Sequence, residues 1–518
     1  MKKNQRTILI TGATGFIGGY LVDRIKDSYN VYTLSRRFPK NVEYQTNPNL
    51  KWLQADIGEK ASIAKALKSV DREFPIEYII HLAGFYDFNY DNNPEYERTN
   101  INGTKNLLEE IKKLNIKRFI FASSVAACEF PRENGERITE RTPPDAPFSY
   151  AVSKRKGEEM VKEYSKFYKC TTIRFAAAFS DWCEYGPLYM FLDTWLTRNW
   201  KSRILGGKGK SAIPYIHVNC LINLLLEVID KCDSLPRHDT YIASGSNSSS
   251  HEELFDLATR SFYGESRKPF HLPKLISRLG LVTMDFFGKL IGKRPFERPW
   301  MIRYIDKQML VDNSYTREQL DWFPTRRFVL NHRLLYMIEH MKSYPYEWQK
   351  RNQLLLKQRK VSPNFLIYEA LDRLRDKIIT KCVDYLLDPK NAEQFKMYHT
   401  LDKAILRKDT NTLYQFLSVA VRTKDRMSVI RYAREIAQIR SQQDFDPQEV
   451  LDAVKVIGSI IHDELVNVEQ LKRMRQEIYD EINFTFQLAI DEIEGTYESI
   501  FRSKTSIAQL VYTAKGDK

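Results

Sequence analysis

Three side chains in the first third of the chain could together exchange a proton with an alcohol or a carbonyl group: Ser124, Tyr150 and Lys154. Tyr150 and Lys154 are one helical turn apart, so a helix places them on the same face. A free tyrosine has a pKa of about 10, and it therefore needs help from a neighbouring positive charge to exchange protons at neutral pH. Lys154 carries that charge, and the Ser124 hydroxyl can hydrogen-bond a substrate oxygen. This set predicts acid/base chemistry at a carbon–oxygen bond.

A glycine-rich turn lies upstream of these residues. Gly12, Gly15 and Gly18 stand between an apolar run and the start of an amphipathic stretch. In this position glycines let backbone N–H groups and the helix dipole meet a pyrophosphate. A simple tight turn is the alternative. We expect a dinucleotide to bind at Gly12, Gly15, Phe16, Ile17 and Gly18.

The end of the second predicted strand bears on which dinucleotide binds. It reads Leu34, Ser35, Arg36 and Arg37, where an NAD-selective site would offer a carboxylate to the ribose 2′-hydroxyl. A guanidinium instead pairs with a 2′-phosphate in a bidentate fork. The sequence thus favours NADP over NAD, with Arg36 as its ligand, unless these arginines are only solvated surface residues.

The elements that must position these residues alternate in the manner of βαβ units. Each predicted strand is a nearly continuous apolar run, as expected when both faces of a sheet are buried. Helical stretches such as Phe16–Lys26 and Gly103–Leu114 lie between them, so right-handed crossovers must join parallel strands. The predicted strands are Thr7–Ile10, Tyr29–Leu34, Trp52–Ala55, Tyr78–Leu82, Arg118–Ala122 and Thr171–Phe175. The pattern indicates an α/β fold with a doubly wound parallel sheet of the Rossmann type.

The chain is too long for a single core, and its pattern changes along its length. We expect an NAD(P)-binding Rossmann domain over residues 1–180 and a smaller substrate-binding lobe over residues 181–348, interleaved with the Rossmann core. After that, long amphipathic runs predict an all-α helical bundle domain over residues 349–518. One helix there should begin after Asp446, with Pro447 at its first position and Glu449 in a capping box.

Further motifs occur in the order typical of one enzyme family. Asp56-Ile57 follows the third predicted strand, His81-Leu82-Ala83-Gly84 ends the fourth, and Asn100 opens a later helix. With the glycine turn and the tyrosine–lysine pair, roughly the first 340 residues resemble an extended (atypical) short-chain dehydrogenase/reductase. That family includes NAD-dependent epimerases and dehydratases and enzymes similar to 3β-hydroxysteroid dehydrogenase.

This resemblance implies roles for the matching residues. Ser124, Tyr150 and Lys154 would be catalytic, with Tyr150 as the general acid/base of an NAD(P)-dependent hydride transfer. Asp56 and Ile57 would contact the adenine. The other residues implied to contact the cofactor are Leu82, Ala83, Gly84, Asn100, Tyr150 and Lys154.

Departures from the nucleotide-sugar members bear on the substrate. The apolar run Phe175–Phe179 lacks their supporting asparagine, while Ile213-Pro214 and Asn219-Cys220 replace their arginine and aspartates. Aromatic residues follow the fourth and last predicted strands, namely Phe85, Tyr86, Phe88, Tyr90, Trp182, Tyr185, Tyr189 and Phe191. We therefore expect a hydrophobic carbonyl or secondary alcohol as substrate, with ordinary core packing of these rings as the alternative.

Two other functions stay open. The first alternative is a nucleotide-sugar epimerase or dehydratase. The second is a regulatory protein that senses NADP and signals through the helical domain. Residues 390–500 are weakly similar to helical N-terminal domains of stressosome co-antagonists and bacterial sensor kinases, through runs such as Tyr432–Glu435 and Asp491–Glu494. We interpret the helical domain as a bundle for dimerisation or for binding a regulatory protein partner, with simple capping of the enzyme as the alternative, and we expect a homodimer.

Composition limits the remaining classes. The net charge of +14 is modest for 518 residues; it can steer an anionic dinucleotide and requires no nucleic acid. The six cysteines form no C-x-x-C pair, so we expect a cytoplasmic protein without a metal site. The stretch Leu279–Ile291 is too short to span a bilayer, but its basic neighbours would suit peripheral membrane contact. We expect His217 to be structural and His462–Glu464 to be a solvated helix face.

Overall fold

The computed structural model of the chain describes residues 1–2, 5–36, 47–87, 92–131, 133, 135–197, 199–245, 248–291, 299–355, 363–472 and 474–516. Arg37, Phe88 and Tyr90 of the motifs above lie outside the described residues. The chain forms two compact units. The first comprises Met1–Tyr344 with Arg351–Gln358, and the second comprises Pro345–Lys350 with Arg359–Lys518.

The first unit contains the predicted parallel sheet, which is confirmed. Its strands, with those of the smaller sheets, are β1 (Thr7–Thr11), β2 (Asn30–Ser35), β3 (Leu50–Gln54), β4 (Tyr78–His81), β5 (Arg118–Ser124), β6 (Arg137–Ile138), β7 (Cys170–Phe175), β8 (Ala177–Phe179), β9 (Ile204–Gly206), β10 (Ala212–His217), β11 (His238–Ala243), β12 (Ser248–Ser250), β13 (Phe270–Leu272) and β14 (Leu310–Val311). The main sheet has seven strands in the order β11-β7-β5-β4-β1-β2-β3. All its neighbouring strands pair in parallel.

Burial explains why its central strands carry apolar runs without alternation. Every residue of β1, β2 and β4 is buried, as expected for a sheet covered on both faces. Strand ends differ from the predictions by one or two residues, where hydrogen bonding rather than hydrophobicity sets the boundary. The largest consequence is at β5, which extends to Ser124 and so holds that serine at the strand end.

The helices of the first unit are α1 (Phe16–Ile25), α2 (Lys60–Lys68), α3 (Gly103–Ile111), α4 (Ser149–Tyr164), α5 (Gly186–Trp195), α6 (Val218–Asp230), α7 (His251–Tyr263), α8 (Lys274–Ile291), α9 (Ser314–Leu320) and α10 (Leu330–Ser343). A π-helix, Tyr96–Asn102, leads into α3 and was not predicted. Its looser turn carries Asn100, and π-helical turns are often found at functional sites.

The first unit also contains three smaller sheets, with strands from both sides of residue 180, and the substrate-binding lobe over residues 181–348 stays a prediction. Strands β12, β10 and β8 form one of them, while β13 pairs with β9 and β14 pairs with β6. Strand β8 follows β7 almost directly and pairs in parallel with β10, through Ala177 opposite Tyr215. The chain thus passes from the main sheet to a smaller one after β7 and returns to the main sheet at β11.

Helix α11 (Pro345–Leu355) contains the boundary between the two units. The helices of the second unit are α12 (Pro363–Leu386), α13 (Lys403–Thr423), α14 (Met427–Gln442), α15 (Pro447–Val466), α16 (Arg475–Ile478) and α17 (Phe484–Gly516). Their apolar faces share a core that includes Ile378, Leu417 and Ile461. The all-helical character predicted for this part of the chain is confirmed.

Two details of the second unit differ from the sequence prediction. The Asp446 side chain caps α15 as expected, accepting from the Gln448 N–H. Glu449, however, turns inward and its Oε1 accepts from the backbone N–H groups of Met397 and Tyr398, at 2.8 and 3.1 Å. Glu464 does not lie on a solvated face, because it is mostly buried between Lys377 and Lys381. Both acids therefore join distant segments, which local sequence cannot reveal.

Candidate functional site

The predicted site residues converge because three central strands end at the same edge of the main sheet. Thr11 of β1 pairs with His81 of β4, and His81 pairs with Phe121 of β5. The glycine turn, the segment after His81 and Ser124 therefore leave the sheet side by side. The carboxyl edge of parallel strands is where α/β proteins bind their ligands.

The glycine turn has a geometry that only glycines permit. Gly12 has a φ of +75°, and a Cβ there would lie 2.8 Å from the Ala83 nitrogen. A Cβ on Gly18 would lie 2.3 Å from the Gly12 carbonyl oxygen. Gly15 precedes α1 without a side-chain cap, so the first N–H groups of that helix stay available for an anion. These residues fit the pyrophosphate of a dinucleotide.

A buried hydrogen-bond chain holds the segment beside this turn. The Thr104 hydroxyl donates to the Asn100 carbonyl at 2.6 Å, so its oxygen accepts from Nε2–H of His81 at 3.0 Å. His81 Nδ1 then accepts from the Thr11 hydroxyl at 2.7 Å, and Thr11 Oγ1 accepts from the Ala83 N–H at 3.1 Å. Burial lowers the pKa of His81 to about 3, which keeps the ring neutral in this role.

Asn100 joins the same segment to the helix that carries Tyr150. Its Oδ1 accepts from the Phe85 N–H at 2.6 Å, and its Nδ2 donates to the Phe85 carbonyl and to Ser153 Oγ, both at 3.0 Å. Ser153 in turn donates to the Tyr150 carbonyl at 2.7 Å. Asn100 therefore fixes the position of α4 relative to Gly84, which is a positioning role.

Lys154 and Tyr150 lie together on α4, as the spacing predicted. The Lys154 ammonium is 5.7 Å from the centre of the Tyr150 ring and donates to the Ala122 carbonyl at 2.7 Å. It lies close to Gly84, where a Cβ would be 3.7 Å from it. Burial lowers the pKa of Lys154 to about 8. Its charge thus stays next to the tyrosine at neutral pH and is lost in mildly alkaline solution.

Ser124 lies at the same edge, where β5 ends. Its Oγ accepts from the Ala126 N–H at 3.1 Å and lies 3.5 Å from the Phe175 carbonyl. The second contact is too long to hold the hydroxyl firmly. The hydroxyl is partly exposed and can reorient toward a substrate oxygen.

A buried ion pair below these residues was missed by the sequence analysis. Glu158 accepts from Arg174 Nε and Nη2 at 3.0 and 2.8 Å, and from the Ser123 hydroxyl at 2.5 Å. Arg174 also donates to the Thr142 carbonyl at 2.6 Å. The pair joins α4, β5 and β7 behind Ser124. A signal was present, because Glu158 follows Lys154 by one helical turn and Arg174 interrupts an apolar strand.

The predicted adenine contact, Asp56, has protein partners in this structure. Its Oδ1 accepts from the Gly58 N–H at 2.9 Å, and its Oδ2 accepts from both terminal nitrogens of Arg98 at 3.1 Å. Arg98 also donates to Glu95. Ile57 is buried against Gly103, whose Cβ would lie 2.9 Å from it. The adenine role of Asp56 and Ile57 stays a prediction, and Arg98 is a neighbour that sequence reasoning did not find.

Arg36 is exposed where β2 ends. Hydrogen bonds from Arg98 and Thr99, followed by smaller effects that include the charge of Arg36, lower the pKa of Glu95. The guanidinium of Arg36 is therefore within electrostatic range of the Asp56–Arg98–Glu95 cluster. This is the edge at which the adenosine half of a dinucleotide is expected.

Aromatic side chains pack on the Tyr150 ring. Tyr86 packs edge to face on the Tyr150 ring with 4.6 Å between centroids, and Tyr96 lies 6.3 Å away. The rings predicted from the segment after the last strand have different neighbours. Trp182 stacks on His340, Phe191 stacks on Trp195, and Tyr185 packs on Tyr215. Tyr189 is buried.

His217 has the contacts of a structural residue. It caps α6 by accepting from the Asn219 N–H at Nδ1, so the proton sits on Nε2 and faces Asp181 at 3.3 Å. Burial would raise the pKa of Asp181, but hydrogen bonds from His217 and Arg333 lower it to about 2. The ring also stacks on Phe328 with centroids 4.3 Å apart.

The model of the NAD dependent epimerase/dehydratase family matches residues 8–243. A protein named "Putative UDP-glucose 4-epimerase" from Methanocaldococcus jannaschii is 28% identical over 270 residues, which are 50% of this chain and 84% of that protein. UDP-glucuronate 4-epimerase 3 of Arabidopsis thaliana is 25% identical over 246 residues, which are 44% of this chain and 55% of that protein.

A solved structure shares the fold of the first unit. It is UDP-glucose 4-epimerase of Thermotoga maritima with UDP-glucose, which aligns with a TM-score of 0.50 and 20% identity. The alignment covers 65% of this chain and 99% of that one. At this identity the likeness shows the fold alone.

Proposed function

Because the model of the NAD dependent epimerase/dehydratase family matches residues 8–243, we propose that this NAD(P)-dependent enzyme oxidises and then reduces again a carbon of a nucleotide-linked sugar. The observation that carries the proposal is the buried ammonium of Lys154, held 2.7 Å from the Ala122 carbonyl and beside Tyr150. This places a cation where a tyrosine must lose its proton. The relatives named as 4-epimerases support the sugar substrate.

In this reaction each residue of the site has a separate role. Ser124 hydrogen-bonds the reacting oxygen and orients it. Tyr150 accepts the hydroxyl proton as the carbon is oxidised, and returns it when the carbon is reduced. The charge of Lys154 favours the tyrosinate. The nicotinamide of a bound dinucleotide supplies the hydride acceptor, and Gly12, Gly15 and Gly18 would hold its pyrophosphate.

Ile213 and Pro214 stand where nucleotide-sugar enzymes of this family have an arginine, so another residue must contact the nucleotide sugar. Pro214 lines a cavity of about 230 Å³ whose other lining groups include a guanidinium, two hydroxyls, an amide and one carboxylate, from Arg137, Ser248, Ser249, Asn331 and Glu253. Arg137 can supply the positive charge that a diphosphate requires. We assign it that role in place of the absent upstream arginine.

We further propose NADP as the cofactor. Arg36 supports this choice, because it lies exposed at the end of β2 and can form the bidentate pair that a 2′-phosphate accepts. No carboxylate occupies positions 34–36, which read Leu34, Ser35 and Arg36. NAD is the alternative, and the binding experiment in the Discussion separates the two.

A second substrate class is favoured by one observation. The ring of Tyr86 lies 4.6 Å from that of Tyr150, and Phe148, directly before α4, stacks on Trp300. Such rings would suit a hydrophobic carbonyl or secondary alcohol. In that case the reaction would be a net oxidation or reduction that consumes the cofactor.

The test is a substrate panel with the full chain and each cofactor. UDP-glucose, UDP-galactose, UDP-glucuronate and dTDP-glucose are followed by nuclear magnetic resonance of the sugar, and apolar ketones by absorbance of the reduced nicotinamide. Conversion of a nucleotide sugar without net cofactor consumption supports the proposal. Consumption of cofactor by apolar ketones alone overturns it in favour of the second class.

Tyr150→Phe separates an enzyme from a sensor. It should lower turnover about a thousandfold, within the range for loss of a general acid/base, and leave cofactor binding intact. Tyr164→Phe on the same helix is the matched control and should keep turnover. Cofactor binding without turnover of any substrate in the parent chain would instead indicate a sensor.

A further inference from the structure

Helix α8 leaves most of its described apolar side chains exposed, and three of them form a stripe. Leu275, Leu279 and Val282 follow one another at spacings of four and three, so they share one face. They are 78%, 69% and 46% exposed, and Ile276 at the side of this face is 54% exposed. A surface helix normally buries such a stripe.

The two buried side chains in the described part of α8 are both polar. Ser277 and Asp285 are each 5% exposed, and the Ser277 hydroxyl donates to the Leu272 carbonyl at 3.0 Å. On a helical wheel Ser277 lies roughly opposite Leu275 and Leu279, whereas Asp285 lies at the side of their face. The helix is thus attached to its own unit through polar residues, which leaves its apolar face for another surface.

Basic and aromatic residues continue this face beyond the helix. Phe270 of β13, just before α8, is 59% exposed, and the Arg203 guanidinium lies 4.7 Å above its ring. Arg203 follows Trp200, which is 69% exposed. Lys274 and Arg278 are exposed along the edge of the apolar stripe. We call this set, from Trp200 to Val282, the α8 face.

The positive charge of the α8 face favours an anionic partner over a second copy of the chain. Between Arg267 and Lys289 the only acidic residue is Asp285, which is buried. A second copy of the chain, docked face to face about a twofold axis, would bring the same positive charges, Lys274 and Arg278 of each copy, into one interface. An anionic surface would pair with these charges while the apolar side chains enter its hydrocarbon boundary.

We propose that the α8 face binds a membrane surface that contains anionic lipids, with α8 lying in the plane of the interface. No helix in the described ranges is long and apolar enough to cross a membrane. The proposed contact is with the surface of the bilayer. Apolar side chains, exposed aromatic rings and basic flanks are the features by which such helices bind. The proposal does not depend on the substrate proposed above.

The test is sedimentation of the full chain with vesicles of phosphatidylcholine alone or mixed with phosphatidylserine. We expect binding to the mixed vesicles, at least about tenfold weaker binding to phosphatidylcholine, and loss of binding at high salt. Leu275→Glu with Leu279→Glu should abolish it. Leu335→Glu, at another exposed leucine, is the matched control and should bind as the parent does.

A second variant tests the charges alone. Lys274→Ala with Arg278→Ala should weaken binding to the anionic vesicles about tenfold and reduce its salt dependence. All these positions are exposed, so folding is checked simply by circular dichroism. Absence of parent binding to anionic vesicles overturns the proposal. So does a parent dimer, measured by light scattering without lipid, that Leu279→Glu converts to a monomer, because the face would then join two copies.

Discussion

The Lys154 ammonium donates a hydrogen bond of 2.7 Å to the Ala122 carbonyl, two residues before Ser124 on β5. This bond joins the helix that carries Tyr150 to the strand that carries the serine. It also holds a buried charge, and burial lowers the pKa of that charge to about 8. Catalytic geometry and folding stability are therefore linked through one side chain.

Lys154→Met is expected to raise stability while it removes turnover. The pKa of about 8 lies below the ordinary value of 10.5, so below pH 8 the folded state bears the cost of a buried charge, equivalent to about 3 kcal/mol. Loss of the bond to Ala122 offsets about 1 kcal/mol. Chemical denaturation of the cofactor-free chain at pH 7 should therefore show a net gain of about 2 kcal/mol.

The stability difference between Lys154→Met and the parent should depend on pH. Between pH 8 and about 10.5 the unfolded parent still holds the lysine proton that the folded parent has released, so parent stability rises with pH. The advantage of Lys154→Met should shrink across that window. Lys156→Met, an exposed lysine on the same helix, should show no such trend. A Lys154→Met chain less stable than the parent at pH 7 would contradict this assignment.

Gly18→Ala should damage the cofactor turn. The added methyl would lie 2.3 Å from the Gly12 carbonyl, and both groups are held by backbone. We expect about 1–3 kcal/mol of lost stability and weaker cofactor binding, measured by denaturation and by fluorescence titration of the reduced cofactor. The neighbouring Gly19→Ala is a sharp control, because its methyl meets no atom closer than 3.9 Å. That change should be neutral or slightly stabilising.

Glu158→Gln should lower the free energy of unfolding more than a substitution at an exposed position does. Arg174 is 3% exposed, and the change removes the charge of the carboxylate that pairs with its guanidinium. Breaking one side of a buried pair costs about 3 kcal/mol or more. Glu159→Gln changes the next residue, which is exposed, and should leave the denaturation midpoint unchanged. Equal midpoints for the two variants would mean that the pair contributes nothing.

Arg36→Glu tests the cofactor. If the guanidinium binds a 2′-phosphate, this change should weaken NADPH binding by about tenfold or more and leave NADH binding unchanged or improved. Arg72→Glu makes the same charge change at another exposed site and should keep both affinities. Equal binding of the two cofactors by the parent chain would show that the NADP proposal is wrong.

Much of the site could be predicted from sequence because its signals are local. The glycine turn stands between one strand and one helix, and Tyr150 and Lys154 are one turn apart on a single helix. Patterns of this kind need no knowledge of distant contacts. The substrate could not be predicted in the same way, since side chains from several elements of the lobe shape that pocket.

The tertiary structure decided what depends on residues far apart in the chain. The sequence alone determined a parallel Rossmann sheet, a dinucleotide turn and a helical second unit, because hydrophobic period and glycine conformation act within a few residues. Three contacts between residues distant in sequence became known only from the fold. They are the hydrogen bonds Arg174–Glu158, Met397–Glu449 and Arg98–Asp56. The fold also decided which face of α8 is buried, because helical periodicity defines two faces and packing alone selects between them.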